Sequence, residues 1–176
     1  LSPKAVIVEG EDQQEQPQQP QAFIVPNTRT PYDTITDMKV AVLRSRAVAS
    51  GRKAVLVVAL SAVKTMDRPV RGRCVVYDIN EVVPEPGRPQ TNRRLRLLAS
   101  TDMKTTVSAV GEVCGYLAVC LGGRTILHEL DESDDVRLVG MAFVDGAIAS
   151  TGCASLRGLF LLGDVQRGLQ VCAFQE

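Results

Sequence analysis

The chain has 176 residues, with 20 Lys and Arg against 20 Asp and Glu, so its net charge is zero and no global electrostatic pull toward nucleic acid exists. At 45% apolar residues it is long enough to bury one core. Its longest apolar run, Ala54 to Leu60, is far short of the ~20 residues that a membrane-crossing helix needs, and no signal peptide is visible, so no membrane partner is expected.

Residues 1–21 read as a linker. Ala5 to Val8 allows a short strand, but Glu9 to Gln21 (E-G-E-D-Q-Q-E-Q-P-Q-Q-P-Q) has no apolar side chain to bury. Ordering it would cost entropy without return. The alternative for this stretch is a recognition motif, since Pro-rich segments dock on aromatic grooves. From Ala22 the composition changes, and residues 22–176 read as the folded part. Phe23-Ile24-Val25 is a short strand stopped by Pro26, and Thr34 to Arg44 is a longer one. The first residue is Leu1 rather than Met, and a piece of a longer protein is expected.

A repeat follows. Gly51 opens a strand over Lys53–Leu60, and Cys74–Ile79 follows after a long loop. Gly115 opens Tyr116–Leu121, then a tight Gly122-Gly123 turn and Thr125–Leu130. Gly158 opens Leu159–Leu162, then a Gly163–Gly168 turn and Leu169–Phe174. The second strands centre near Val76, Leu127 and Val171, steps of 51 and 44 residues, at or near the spacing of propeller blades. Leu95–Leu98 and Thr105–Val110 fit the first gap; Val136–Val144 and Ile148–Leu156 fit the second. Each unit therefore has room for four short strands. Stacked blades bury both faces of their inner strands, which accounts for A-V-L-V-V-A-L and G-L-F-L-L-G without helices. No segment shows a capped 3.6-residue period. The predicted fold is all-β, about three blades of a divergent propeller without Trp-Asp dipeptides. A closed ring takes about 4–8 blades, so the rest is expected outside this sequence or on another chain.

The most informative stretch is Arg71–Pro89, R-G-R-C-V-V-Y-D-I-N-E-V-V-P-E-P-G-R-P. Cys74 to Ile79 carries apolar groups on both parities, as in a strand covered on both faces. Pro84, Pro86, Gly87 and Pro89 then end it in a stiff loop, because Pro lacks the backbone donor and fixes φ. The E-V-V-P-E-P-G turn, together with G-M-A-F-V-D at 140–145 and G-D-V-Q-R at 163–167, resembles the family of the largest subunit of the cleavage and polyadenylation specificity factor, in its C-terminal propeller region. The resemblance covers roughly residues 22–176. It implies a nuclear, non-catalytic scaffold for messenger-RNA 3′-end formation. Its implied partners are a WD-repeat subunit and a zinc-finger subunit that read the polyadenylation signal, and nuclease subunits, with pre-mRNA reached through the complex. Sister families build scaffolds of DNA repair and splicing, and these are the alternative.

The residues themselves offer little chemistry. The five cysteines are odd in number, lack C-x-x-C spacing and sit in apolar runs, where Cys acts as a small hydrophobe. With one histidine, His128, neither a zinc site nor a Cys–His pair has normal spacing. No metal, cofactor or catalytic residue is predicted. His128 reads as a strand residue at a blade surface. Glu129, Asp131, Glu132, Asp134 and Asp135 read as a solvated acidic loop or a contact for a basic partner. Asp164 reads as a turn residue bonding backbone N–H groups. Charge is unevenly spread: residues 39–96 hold thirteen Lys and Arg against four Asp and Glu. Within them Arg88, Arg93, Arg94 and Arg96 are the candidates for a nucleic-acid or partner contact, since guanidinium suits phosphate. No aromatic is interleaved for base stacking, and a charged edge strand explains them as well. Glu81, Pro84, Glu85, Pro86 and Gly87 are the candidate partner loop. A direct RNA-binding module is the competing reading to a scaffold.

Overall fold

The computed structural model describes residues 33–62, 71–84, 86–87, 92–133 and 135–174. Expectations for residues 1–32, including the linker and the Phe23 strand, lie outside these. Eleven strands are present and, among the described residues, no helix. β1 (Asp33–Arg44), β2 (Arg52–Ala62), β3 (Arg71–Glu81) and β4 (Arg93–Met103) form sheet 1 in that order. β5 (Ala109–Val113), β6 (Tyr116–Leu121), β7 (Arg124–Asp131) and β8 (Arg137–Asp145) form sheet 2. β9 (Ser150–Leu156), β10 (Leu159–Asp164) and β11 (Gly168–Ala173) form sheet 3. All pairings are antiparallel and join strands consecutive in sequence. This is the meander of a propeller blade, repeated.

The repeat is real, but its boundaries fall one strand earlier than the Gly-led hairpins suggest. Thr34–Arg44 is the first strand of sheet 1, and the strand after β4 opens sheet 2 rather than completing sheet 1. The glycines also act differently from strand openers. Cys114 and Gly115, and again Arg157 and Gly158, both have positive φ within two-residue hairpins. That is the type I′ pattern, which forces one non-Gly residue of each pair into the left-handed region. Gly122 has a φ of 65° and Gly123 does not share it, matching a II′ turn.

Two further expectations change. Thr105–Val110 is a loop up to Ser108, because Val107 is turned into the core while its carbonyl accepts from Thr36 Oγ1 (2.6 Å) and Ser61 Oγ (3.2 Å). Those bonds replace a strand ladder. Gly163 belongs to β10, paired with Gly152 and Leu169, so the last turn begins only after Asp164.

The sheets stack face on face. Val55, Val57, Ala59, Cys74 and Val76 of sheet 1 pack with Val110, Leu117, Val119 and Leu130 of sheet 2. The other face of sheet 2, with Ala118, Cys120 and Leu127, packs on Cys153, Phe160 and Leu162 of sheet 3. β3 is buried on both sides as expected, with Val75 and Tyr77 in a separate cluster with Leu60. β10 is not: Phe160 and Leu162 are buried, but Leu159 is exposed and so is neighbouring Val171. Sheet 3 has no described sheet beyond it, so G-L-F-L-L-G is covered on one face only.

Three carboxylates cross between sheets to backbone N–H groups. Asp37 of β1 accepts from Val110 of β5 (2.9 Å). Glu132, after β7, accepts from Ser45 Oγ (2.7 Å), Arg46 N (3.0 Å) and Ala47 N (3.1 Å) in the β1–β2 turn. Asp164 accepts from Ile148 and Ala149 before β9 and from Gln166 and Arg167 in its own turn. Burial alone would raise Asp164, but the four N–H bonds outweigh it and hold the carboxyl at about 2, below its ordinary 3.8.

The folded state therefore binds this proton less readily than the unfolded chain, and the stabilisation is full above about pH 4 and lost as pH falls toward about 2. Denaturation curves collected across that window should show a steep loss for the parent and a shallower one for Asp164→Asn. Equal slopes would contradict the anchoring role.

Candidate functional site

The connections alternate between two ends of the array. One end, called the first end here, carries the β1–β2 turn, the β3–β4 loop and the β5–β6 and β7–β8 turns. Arg44 N bonding Gly115 O (2.8 Å) and Glu132 bonding the β1–β2 turn tie these connections together. Of the residues singled out from sequence, Glu81, Pro84, Pro86, Gly87, Arg93, Arg94 and Arg96 lie at this end, and so do Glu129, Asp131, Glu132 and Asp135. The sequence does not reveal that proximity, since even Arg96 and Glu129 are 33 residues apart.

β3 runs out at Glu81, and the chain returns at Arg93, opposite it. Val82 N donates to Asn92 O (2.7 Å), closing the neck of the loop. Beyond that neck Val83 is 93% exposed, and Pro84, Pro86 and Gly87 are exposed too. An apolar side chain left in water on a Pro-stiffened loop suits contact with another protein. Glu85 and Arg88 lie outside the described residues.

The β4 arginines separate into distinct roles. Arg93 faces Glu81 at 3.9 Å, both well exposed, which is worth little in water. Arg96 reaches Asp78 at 3.3 Å, and Lys53 reaches the same oxygen at 2.8 Å. Asp78 is buried and Lys53 is 18% exposed, so this pair is structural: two cations neutralise one buried carboxylate. Arg94 pairs in register with Asn80 and has no carboxylate partner among the described residues. Arg93 and Arg96 thus each face a carboxylate of β3, while Arg94 faces none among the described residues.

Sequence reasoning missed Arg46 and Arg52, which have no carboxylate partner among the described residues and line a cavity of about 320 Å³ with Arg44, Ser50 and Glu129. A second cavity of about 370 Å³ adjoins it and shares Arg46, Glu129 and Leu130. The only available signal was the local excess of basic residues. Arg44 is occupied: it donates to Cys114 O (3.1 Å) and Tyr116 Oη (2.8 Å) and stacks on the Tyr116 ring at 4.5 Å.

The acidic cluster is not a freely solvated loop. Glu132 is consumed by the β1–β2 turn, and Asp131 takes Ser133 N (3.2 Å) and lies 3.6 Å from Arg137. Asp134 is outside the described residues. His128 is not at a surface either. It is buried in the sheet 1–sheet 2 interface, opposite Leu117 and Gly140, where burial lowers its pKa against the opposing bonds to Ile126 and Leu117. The cysteines are all free, and burial pushes Cys74 up to about 12, which keeps it an unreactive thiol.

A family model described as the CPSF A subunit region matches residues 30–176. The chain belongs to the CPSF A subunit family. It is 38% identical over 125 residues to Protein cft1 of Schizosaccharomyces pombe, covering 71% of this chain and 8% of that protein. It is 32% identical over 156 residues to cleavage and polyadenylation specificity factor subunit 1 of Drosophila melanogaster, covering 87% of this chain and 10% of that one. Protein CFT1 of Saccharomyces cerevisiae is 27% identical over 140 residues, 80% of this chain and 10% of that protein. The chain thus spans about a tenth of the length of the curated relatives it matches.

Within the CPSF A subunit region, two of the motifs that carry the resemblance have structural work. Asp164 of G-D-V-Q-R is the anchor between sheets described above. Phe143 and Asp145 of G-M-A-F-V-D hold Arg124, which stacks on the ring at 4.8 Å and forks onto the carboxylate at 2.6 and 2.7 Å. In the E-V-V-P-E-P-G motif, Glu81 and Val82 close the neck of the loop, while Val83, Pro84, Pro86 and Gly87 are exposed beyond it.

Removing Asp78 leaves Lys53 with an unpaired charge at a mostly buried site. Asp78→Ala should cost about 2–4 kcal/mol in chemical denaturation. Arg94→Ala should stay within about 0.5 kcal/mol. Equal effects would mean that Arg94 has a structural partner after all.

Proposed function

We propose that the chain is part of a non-catalytic nuclear scaffold of the pre-mRNA cleavage and polyadenylation complex. The observation that carries this reading is family membership across residues 30–176, joined to an exposed loop on a stacked-sheet support. Stacked sheets hold their connecting loops at fixed positions, so a partner meets a preformed surface. The loop around Glu81, Pro84, Glu85, Pro86 and Gly87 is the contact, with residues 1–21 a linker beside the folded part. The partners are the WD-repeat subunit, the zinc-finger subunit and the nuclease subunits of that complex, and pre-mRNA is reached through them.

Direct RNA binding by Arg88, Arg93, Arg94 and Arg96 is the weaker reading. Arg96 shares a buried carboxylate and Arg93 faces Glu81. Tyr116 is already stacked by Arg44 and packs on Phe174 at 5.4 Å, so it offers no free face for a base.

Tagging the full-length protein that carries this segment and identifying what co-purifies tests the proposal. Polyadenylation factors, a WD-repeat subunit among them, are expected. A cullin or spliceosomal subunits would assign the chain to a sister scaffold. Replacing Pro84, Pro86 and Pro89 with Ala should lower recovery of at least one factor, and unchanged recovery would reduce the loop to a strand terminator.

A further inference from the structure

Two thiols meet between sheet 2 and sheet 3. Cys120 lies on β6 and Cys153 on β9, both free and both in the apolar cluster that joins these sheets. Their thiols are hydrogen-bonded to each other. The backbones come close here. A Cβ on Gly111 would lie 2.6 Å from Cys153 Sγ and 3.5 Å from the Cys153 carbonyl oxygen, so β9 crosses sheet 2 well inside the ~10 Å that separates ordinary face-to-face sheets. Gly111 pairs with Ala118, and Ala109 with Cys120, so small residues surround Cys120 on this surface.

The pair is polarised. The Cys153 thiol bonded to Cys120 holds Cys120 below the ordinary thiol value of 9.0, with Thr125 Oγ1 (3.5 Å) and the Lys39 ammonium helping and burial opposing. The same bond, together with burial, pushes Cys153 up, so Cys120 gives up its proton first. Lys39 is held at this place. Its Nζ donates to the Cys153 carbonyl (3.0 Å) and lies 3.6 Å from Asp37, the carboxylate that acts against it on the thiols.

We propose that Cys120 and Cys153 form a reversible disulfide between sheets 2 and 3 when the protein meets hydrogen peroxide. Cys120 loses its proton and its sulfur attacks one peroxide oxygen. An S–O bond forms, the O–O bond breaks, and the leaving hydroxide takes up the proton as water. The Cys153 sulfur then displaces hydroxide from the Cys120 sulfenic acid. The S–S bond forms, the S–O bond breaks, and the Cys153 proton leaves in a second water. Two thiols have thus given two electrons to one peroxide. A dithiol returns them by exchange. Peroxide is the fitting oxidant because Cys120 is wholly buried and Cys153 is 7% exposed, which excludes a bulky disulfide. The sulfurs close from hydrogen-bond contact to ~2.05 Å by rotation about their Cα–Cβ bonds. In the reduced protein apolar packing and the Asp164 bonds hold sheet 3 in place, and oxidation adds a covalent tie.

The test uses the full-length protein that carries this segment. Folded protein is treated with hydrogen peroxide, its remaining thiols are alkylated, and it is digested with trypsin without reduction. Peptide 105–124, which holds Cys114 and Cys120, should appear joined to peptide 138–157, which holds Cys153. Fragment ions should place the link on Cys120, and dithiothreitol should release it. The linked pair should be about tenfold more abundant than after the same oxidation in urea, because contact in the fold supplies an effective concentration that the unfolded chain lacks. No link in the folded protein, a link on Cys114, or equal yields from folded and unfolded protein would overturn the inference. Oxidation of Cys120 to the sulfinic acid with Cys153 left unlinked would do the same.

Discussion

Sheet 2 buries both of its faces, and the rest of the structure depends on that. Leu117 and Val119 point into the core shared with sheet 1, while Ala118 and Cys120, one residue along in each case, point into the core shared with sheet 3. Strand alternation turns a single apolar run, Leu117 to Cys120, into two interfaces. Close approach requires small residues where the backbones meet. A Cβ on Gly111 would lie 2.6 Å from Cys153 Sγ, and one on Gly72 would collide with the Thr105 carbonyl oxygen. These glycines are needed for the space that they leave rather than for their dihedral freedom.

Apolar burial is non-directional and would allow the sheets to slide or rotate. Directional bonds remove that freedom. Asp37 and Glu132 fix sheet 1 against sheet 2, and Asp164 fixes sheet 3 against the connection from sheet 2. Arg44 adds a chain of contacts across all three sheets, through Tyr116 of sheet 2 to Phe174 at the end of sheet 3. Each carboxylate accepts more than one N–H, so each holds a geometry and not merely a distance. The result is a support on which the β3–β4 loop stands at a set place relative to the neighbouring turns, as the proposed scaffold role requires.

Much of this was legible in the sequence, and the reasons are specific. Tyr116–Leu121 and Leu159–Leu162 were recognisable as strands because β-branched and aliphatic runs stood between turn residues. The three-unit repeat followed from spacing. Which strand begins each sheet was not legible, because an apolar run records that a strand is buried but not which edge it joins. The same limit hid the fate of β10, whose run resembles that of a doubly covered strand although one face is bare. At the candidate site, Glu81, Pro84, Pro86, Gly87, Arg93, Arg94 and Arg96 are exposed, which their charge and turn chemistry made legible. The acidic cluster was misjudged because Glu132's partners, the Arg46 and Ala47 amides, are more than 80 residues away and are backbone groups that no motif advertises. His128 was misplaced for a related reason. A polar residue in an alternating strand reads as outward-facing, but the small Gly140 opposite it leaves room inside the interface.

The central claim is that carboxylates bonded across neighbouring sheets make the array rigid at its loops as well as in its strands. Hydrogen–deuterium exchange resolved to single amides tests it directly. Arg46, Ala47, Ile148 and Ala149 lie in connections between strands, where amides ordinarily exchange fast. The account predicts that these four are protected to nearly the same degree as the β6 amides from Leu117 to Cys120. Exchange at the rate of an open loop would contradict it and would leave apolar stacking, with the Asp37 and Arg44 contacts, to order the sheets.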